Sequence, residues 1–183
     1  MMKPFLMLVC LLALAGCNRS IGDVYQPGVP SAVGLVAGQG DMPVMISGRF
    51  FEMPQSEFDD LITGMMYGKN AGPLVRFTTR PKPGSSENYS VRMLFGAPDS
   101  FSHHLLCNAE GMPSPEPLSS EMTVTAAFCY QDRMESGSTG IFYPGDETDH
   151  AGLNRLIHGM MTSMFPLFDP FTDGGCGSSV IDC

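Results

Sequence analysis

Positive charge is what this chain has least of. Ten Lys and Arg stand against 19 Asp and Glu, a formal net charge of −9 at pH 7. Such a surface disfavours nucleic acid and anionic lipid headgroups as partners of the domain as a whole. Tryptophan is absent, so 12 Phe and 5 Tyr supply all the aromatic surface. There is no Cys-x-x-Cys pair, which argues against a four-cysteine metal site. The Gly-x-Ser-x-Gly elbow of serine hydrolases is missing, and Gly137-Ser138-Thr139-Gly140 reads as a turn. Phosphate-loop and haem-attachment motifs are missing too, so no cofactor or metal is expected. Past the first residues, no apolar run approaches the roughly 20 residues of a spanning helix.

What is there begins at the N-terminus. Lys3 is followed by the uncharged apolar run Phe5–Leu14 and then by Leu14-Ala15-Gly16-Cys17. A run of about ten residues suits a leader rather than a permanent span. These residues resemble the signal and lipobox of bacterial lipoproteins. The resemblance implies export, cleavage before Cys17, and acyl chains on that cysteine. Ala13 and Ala15 would also suit an ordinary signal-peptidase cut, the plainly secreted alternative. The Asn18 that follows, where enterobacterial retention uses Asp, implies a periplasm-facing anchor in the outer rather than the inner membrane. Residues 1–16 are thus read as signal peptide and 17–42 as lipidated N-terminus and flexible tether. Residues 43–183 are read as one domain with a loop-like C-terminal tail. If flexible, the tether would reach roughly 25–30 Å, although Ala32–Ala37 is apolar enough to dock.

Cys10 leaves with the leader and Cys17 is the lipidation site, leaving Cys107, Cys129, Cys176 and Cys183. An even number in an oxidising compartment suits disulfides. Three connectivities are open, and near-neighbour closure favours Cys107–Cys129 with Cys176–Cys183, each worth about 2–3 kcal/mol.

Hydrophobic periodicity supplies the elements. Val44–Met53 reads as a strand. Phe58, Leu61, Ile62, Met65 and Met66 form one helical stripe, started by a capping-box-like Ser56 and Asp59 and stopped at Gly68. Leu74–Arg80 and Asn88–Gly96 alternate on either side of a turn-rich segment, predicting a hairpin. Met122–Tyr130 alternates most clearly and places Cys129 opposite the apolar face, so that Cys107–Cys129 would staple an irregular segment to the outside of the sheet. Thr139–Tyr143 adds a short edge strand. Asp149–Phe165 is the strongest helix, capped by Thr148 or Asp146. The fold class is α+β: a mostly antiparallel sheet of four to five strands with two helices packed on one face.

Candidate chemistry is sparse. His103 and Cys107 are four apart and would share a helical face, as ligands or as base and nucleophile. The competing disulfide leaves the histidines as solvated polar groups. His158 with Met160, Met161 and Met164 suggests copper, but those methionines also fit the apolar stripe. Asp146, Glu147, Asp149 and His150 are explained by a capped helix start, and Asp169–Gly174 is too poor in oxygen ligands for a calcium loop. Arg76, Arg80, Lys82 and Arg92 gather scarce positive charge around one hairpin. They are either a solvated sheet face or a binding patch for an acidic partner, another envelope protein or a phosphate-bearing envelope glycolipid.

The resulting expectation is a lipid-anchored cell-envelope protein, held to the membrane through its N-terminus, acting as a structural or accessory binding module rather than an enzyme. An exported hydrolase with a site assembled from distant residues is the alternative, and a copper or cation binder is third.

Overall fold

The computed structural model describes residues 19–26, 28–99, 101–108, 121–144 and 149–167. The leader, Cys17, Asp146–Thr148, Asp169–Gly174, Cys176 and Cys183 lie outside them. Among the described residues the chain runs β1 (Arg19–Tyr25), α1 (Val29–Gln39), β2 (Asp41–Ser47), α2 (Gln55–Met66), β3 (Arg76–Thr78), β4 (Tyr89–Phe95), a 3-10 turn (His103–Cys107), β5 (Met122–Tyr130), β6 (Arg133–Phe142) and α3 (His150–Met164). The strands form one mixed sheet in the order β1-β6-β5-β4-β2-β3. From β1 to β4 all neighbours are antiparallel, whereas β2 is parallel to both β4 and β3. The chain is α+β, as expected.

One face of the sheet carries the helices. Val91, Met93 and Phe95 of β4 and Val124, Ala126 and Phe128 of β5 join buried residues of all three helices in a single core. Edge-on Phe pairs run through it, Phe58 to Phe95 at 4.8 Å and Phe50 to Phe142 at 5.0 Å, filling volume that tryptophan might otherwise take. On α3, Leu153, Leu156, Ile157, Met160, Met161 and Met164 are all buried. Each is worth about 1.5–3 kcal/mol when withdrawn from water. The strand beneath α3 is built small: Ser136, Ser138 and Gly140 of β6 lie across from Phe128, Ala126 and Val124. The buried Ser136 hydroxyl donates to the Met164 carbonyl oxygen at 2.8 Å, satisfying a last-turn carbonyl that has no partner within the helix.

Several expectations need correction. The span read as a flexible tether contains β1 and α1. Val29, Val33 and Val36 recur at four and three and are buried in the main core, which extends the docking expected for Ala32–Ala37. Leu74–Arg80 and Asn88–Gly96 do not pair as a hairpin, because β2 lies between β3 and β4. The expected strand at Thr139–Tyr143 is the end of the long inner strand β6. No capping box forms on α2, since its N-cap is Pro54; Gln55 Nε2 donates to Asp59 Oδ1 at 2.8 Å instead.

The cap of α3 is Asp149, whose Oδ1 accepts from the Gly152 amide at 2.7 Å. Asp149→Ala is expected to cost about 1 kcal/mol, read as a lower midpoint in urea with an unchanged slope. An unchanged midpoint would show that the helix start is held by packing alone.

Candidate functional site

The second face of the sheet bears a smaller cluster of Leu94, Ala97, Leu106, Cys107, Ala127, Cys129 and Met134. Cys107 and Cys129 are joined by a disulfide across a separation of 22 residues. It lies on the face away from the helices and pins the 3-10 turn to the sheet, as the alternation of β5 implies. With Cys107 so occupied, the pairing of His103 with a free thiol falls away. Nor is His103 solvated: it is buried, and a Cβ at Gly137 would sit 2.7 Å from its ring. Gly137 is therefore the floor on which the imidazole rests. His104 and His158 are exposed, and Met160, Met161 and Met164 are fully buried in the helical core. Among the described residues no three His, Cys, Asp or Glu gather as a metal site.

The four candidate cations divide. Arg92 is half-buried on β4 and donates from Nη1 to the Leu106 carbonyl oxygen at 3.0 Å, so it serves the 3-10 turn. Arg76, Arg80 and Lys82 stay together around the short edge strand β3. There, Arg76 faces the buried Asp41 carboxylate at 3.6 Å, and the same carboxylate accepts the Lys82 backbone amide at 3.1 Å. Arg80 pairs with Asp60 of α2. Both guanidinium groups are more than half exposed, so each pair is worth little in water. The corner is only weakly positive, because two of its three cations already have acidic neighbours. Arg76, Arg80, Asp60, Thr63 and Tyr67 line a groove of about 310 Å³ between α2 and β3.

A broader groove of about 670 Å³ runs between α2 and α3, and Asp60, Tyr67, Lys69, His150 and Asn154 line it. The His150 ring stacks on Phe51 with centroids 4.6 Å apart. Asp60 borders both grooves, and it is the carboxylate that pairs with Arg80.

Sequence reasoning missed a third group. The register shifts between Phe128 and Cys129 in the β5–β6 ladder, leaving Glu135 as the extra residue. Its carboxylate, side chain 10% exposed, accepts from Arg133 Nε at 2.8 Å. Tyr130 lies 4.9 Å from Tyr89, and the Arg133 guanidinium lies 5.8 Å from the Tyr130 ring. Burial, reinforced by the Glu135 charge, raises the Tyr89 pKa above its ordinary 10.0. The bulge leaves no mark in hydrophobic alternation, so no sequence signal pointed here.

The sign of that shift fixes a pH effect. The folded state prefers the neutral phenol, so its stability contribution is intact below the unfolded pKa and is lost as pH rises through the folded value. Above about pH 10, the midpoint of thermal unfolding should fall more steeply for the wild type than for Tyr89→Phe. Parallel curves would show that the phenol does not control alkaline stability.

No family model and no curated protein matches this chain. Among solved structures it is similar to a PelC dodecamer from Paraburkholderia phytofirmans, with 11% identity, a TM-score of 0.40, and coverage of 82% of this chain and 97% of that one.

Proposed function

We propose that this protein is a lipid-anchored component of the bacterial cell envelope that acts by binding, as a structural or accessory part of an envelope assembly. The observation that carries this reading is the order Lys3, Phe5–Leu14, Leu14-Ala15-Gly16-Cys17 ahead of a domain whose first strand begins at Arg19. The exposed corner of Arg76, Arg80 and Lys82 supports a binding role, since an arginine fork can grip phosphate or carboxylate with two donors. Its partner class is acidic, an envelope protein or a phosphate-bearing glycolipid, which must share or displace Asp41 and Asp60. Export is supported by the Cys107–Cys129 bridge, a bond that persists in oxidising compartments.

The hydrolase alternative rests on one observation, that Asp60 and His150 border a common groove.

The test is the intact mass of protein purified from native-like membranes, with and without reduction. Cleavage before Cys17, added acyl chains and a gain of about four mass units on reduction are expected. An unacylated mass would end the anchored reading, and four free thiols would end the oxidised one. Crosslinking in intact envelopes then identifies the partner. Loss of the crosslink when Arg76, Arg80 and Lys82 are changed to Gln would place the contact at that corner.

A further inference from the structure

The anchored reading has a geometric consequence that follows from where β1 begins. Arg19 is already paired with Ile141, and only Asn18 separates it from Cys17. Two extended residues span about 7 Å, against the roughly 25–30 Å of a flexible tether the length of residues 17–42. A lipid on Cys17 could therefore sit no farther than about 7 Å from Arg19, at this end of the sheet.

That end can be followed strand by strand. Ile141 faces Thr123, whose carbonyl oxygen accepts the Gly96 and Ala97 amides at 3.0 Å, and Leu94 of the same strand pairs with Ser47. The end therefore comprises residues 48–54 after β2, residues 96–99 after β4, and residues 141–144 closing β6. Among the described residues its exposed groups include Arg49, Glu52, Asp99, Glu121 and Tyr143. Arg49 is held in place by donating to the Met53 carbonyl oxygen at 2.8 Å. Among the described residues these groups are polar, with more carboxylates than cations and the aromatic Tyr143, and so suit contact with zwitterionic headgroups rather than insertion among acyl chains. The opposite end, with Tyr130 facing Arg133 and Asp41 facing Arg76, stands about 25–30 Å away along the strands.

We propose that this end of the sheet is a membrane-contact face, resting on the headgroups of the bilayer that holds the Cys17 lipid, with the strands directed away from it. The inference rests on the lipoprotein reading above. On it, the Arg76, Arg80 and Lys82 corner points away from the anchoring leaflet, so it is out of reach of that leaflet's own headgroups.

The absence of tryptophan makes a direct test possible. Single tryptophans are placed at three exposed positions of the full-length lipidated chain: Tyr143→Trp at the contact end, Gln26→Trp beyond the far end of β1, and Leu167→Trp beyond α3. Each is reconstituted in phosphatidylcholine vesicles carrying a headgroup-level quencher, and vesicle flotation is measured alongside. The expected result is flotation of all three with several-fold stronger quenching at position 143 than at 26 or 167. Inserting a ten-residue Gly-Ser linker after Asn18 should remove the difference. Flotation with no quenching at 143 overturns the contact face and leaves the anchor reading intact. Quenching at 26 as strong as at 143 means the domain lies on its β1 edge, and stronger quenching at 167 means it is inverted; either overturns the proposal. Failure to float overturns the anchor and the contact face together.

Discussion

Cys17→Ala is expected to release from membranes every copy whose leader is cut. A single saturated chain of myristoyl length binds bilayers with an association constant of only about 10⁴ M⁻¹, so stable retention needs two or more chains. On the proposed reading, removing the thiol removes the site of the first lipid and the cut before residue 17, so release then depends on a cut at the neighbouring small residues Ala13 or Ala15. The chain is acidic, and no helix among the described residues is long and apolar enough to cross a membrane. Fractionation of exporting cells should move the variant cut at Ala13 or Ala15 from the membrane pellet to the soluble periplasmic fraction, while uncut chain stays in the pellet on its apolar leader. Retention of the cut chain in the pellet after a salt wash would show that protein contacts, not acyl chains, hold the molecule in place.

The second large effect is on stability. Replacing Cys107 and Cys129 together by Ala should lower the unfolding free energy by about 3 kcal/mol, the loop-closure entropy for a bridge spanning this distance. For a domain of this size that is a fall of about 6–12 °C in melting temperature. Both residues are buried beside Leu94, Leu106 and Met134, so loss of packing adds to loss of the crosslink. The damage should also be local. The 3-10 turn is held mainly by that bridge, by His103 on Gly137 and by Arg92 on the Leu106 carbonyl. Its amides should exchange with solvent fastest in the variant, while those of β4 and β5 stay protected. A melting temperature unchanged on reduction of the wild type would show that the bridge contributes nothing to the folded state.

How much of this was legible in the sequence depends on whether the signal was local. α2, α3 and β5 announce themselves through Phe58-Ile62-Met66, the six buried residues of α3, and the alternation from Met122 to Tyr130. The parity of Cys129 even assigned the bridge to the outer face. β6 was only partly readable because three of its core-facing residues, Ser136, Ser138 and Gly140, are small where the strand passes under α3, leaving Phe142 as the large apolar one. α1 was hidden by Gly34 and Gly38, which lower helix propensity and suggested a linker; a Cβ at either would meet nothing within 4 Å. The position of β2 between β3 and β4 is a long-range choice that alternation in Leu74–Arg80 and Asn88–Gly96 does not encode. The candidate corner suffered the same limit. Four cations near one turn were visible, but the Asp41 and Asp60 carboxylates that partly neutralise it, and the burial of Arg92, come from elements far away in the chain.

The pairing of β1 with β6 also sets an order of events. Arg19 and Ile141 are neighbours in space yet lie near opposite ends of the chain. Chain synthesis proceeds from the N-terminus, so β1 emerges first and waits, its ladder partner still to come. Meanwhile the β5–β6 hairpin can close locally through its two-residue turn, where Gln131 adopts φ 56°. β1 then docks on a nearly finished sheet, paying the closure entropy of the longest loop in the fold. The first strand to emerge is thus the last to be locked, and with Cys17 lipidated as proposed the chain would be anchored before it is folded.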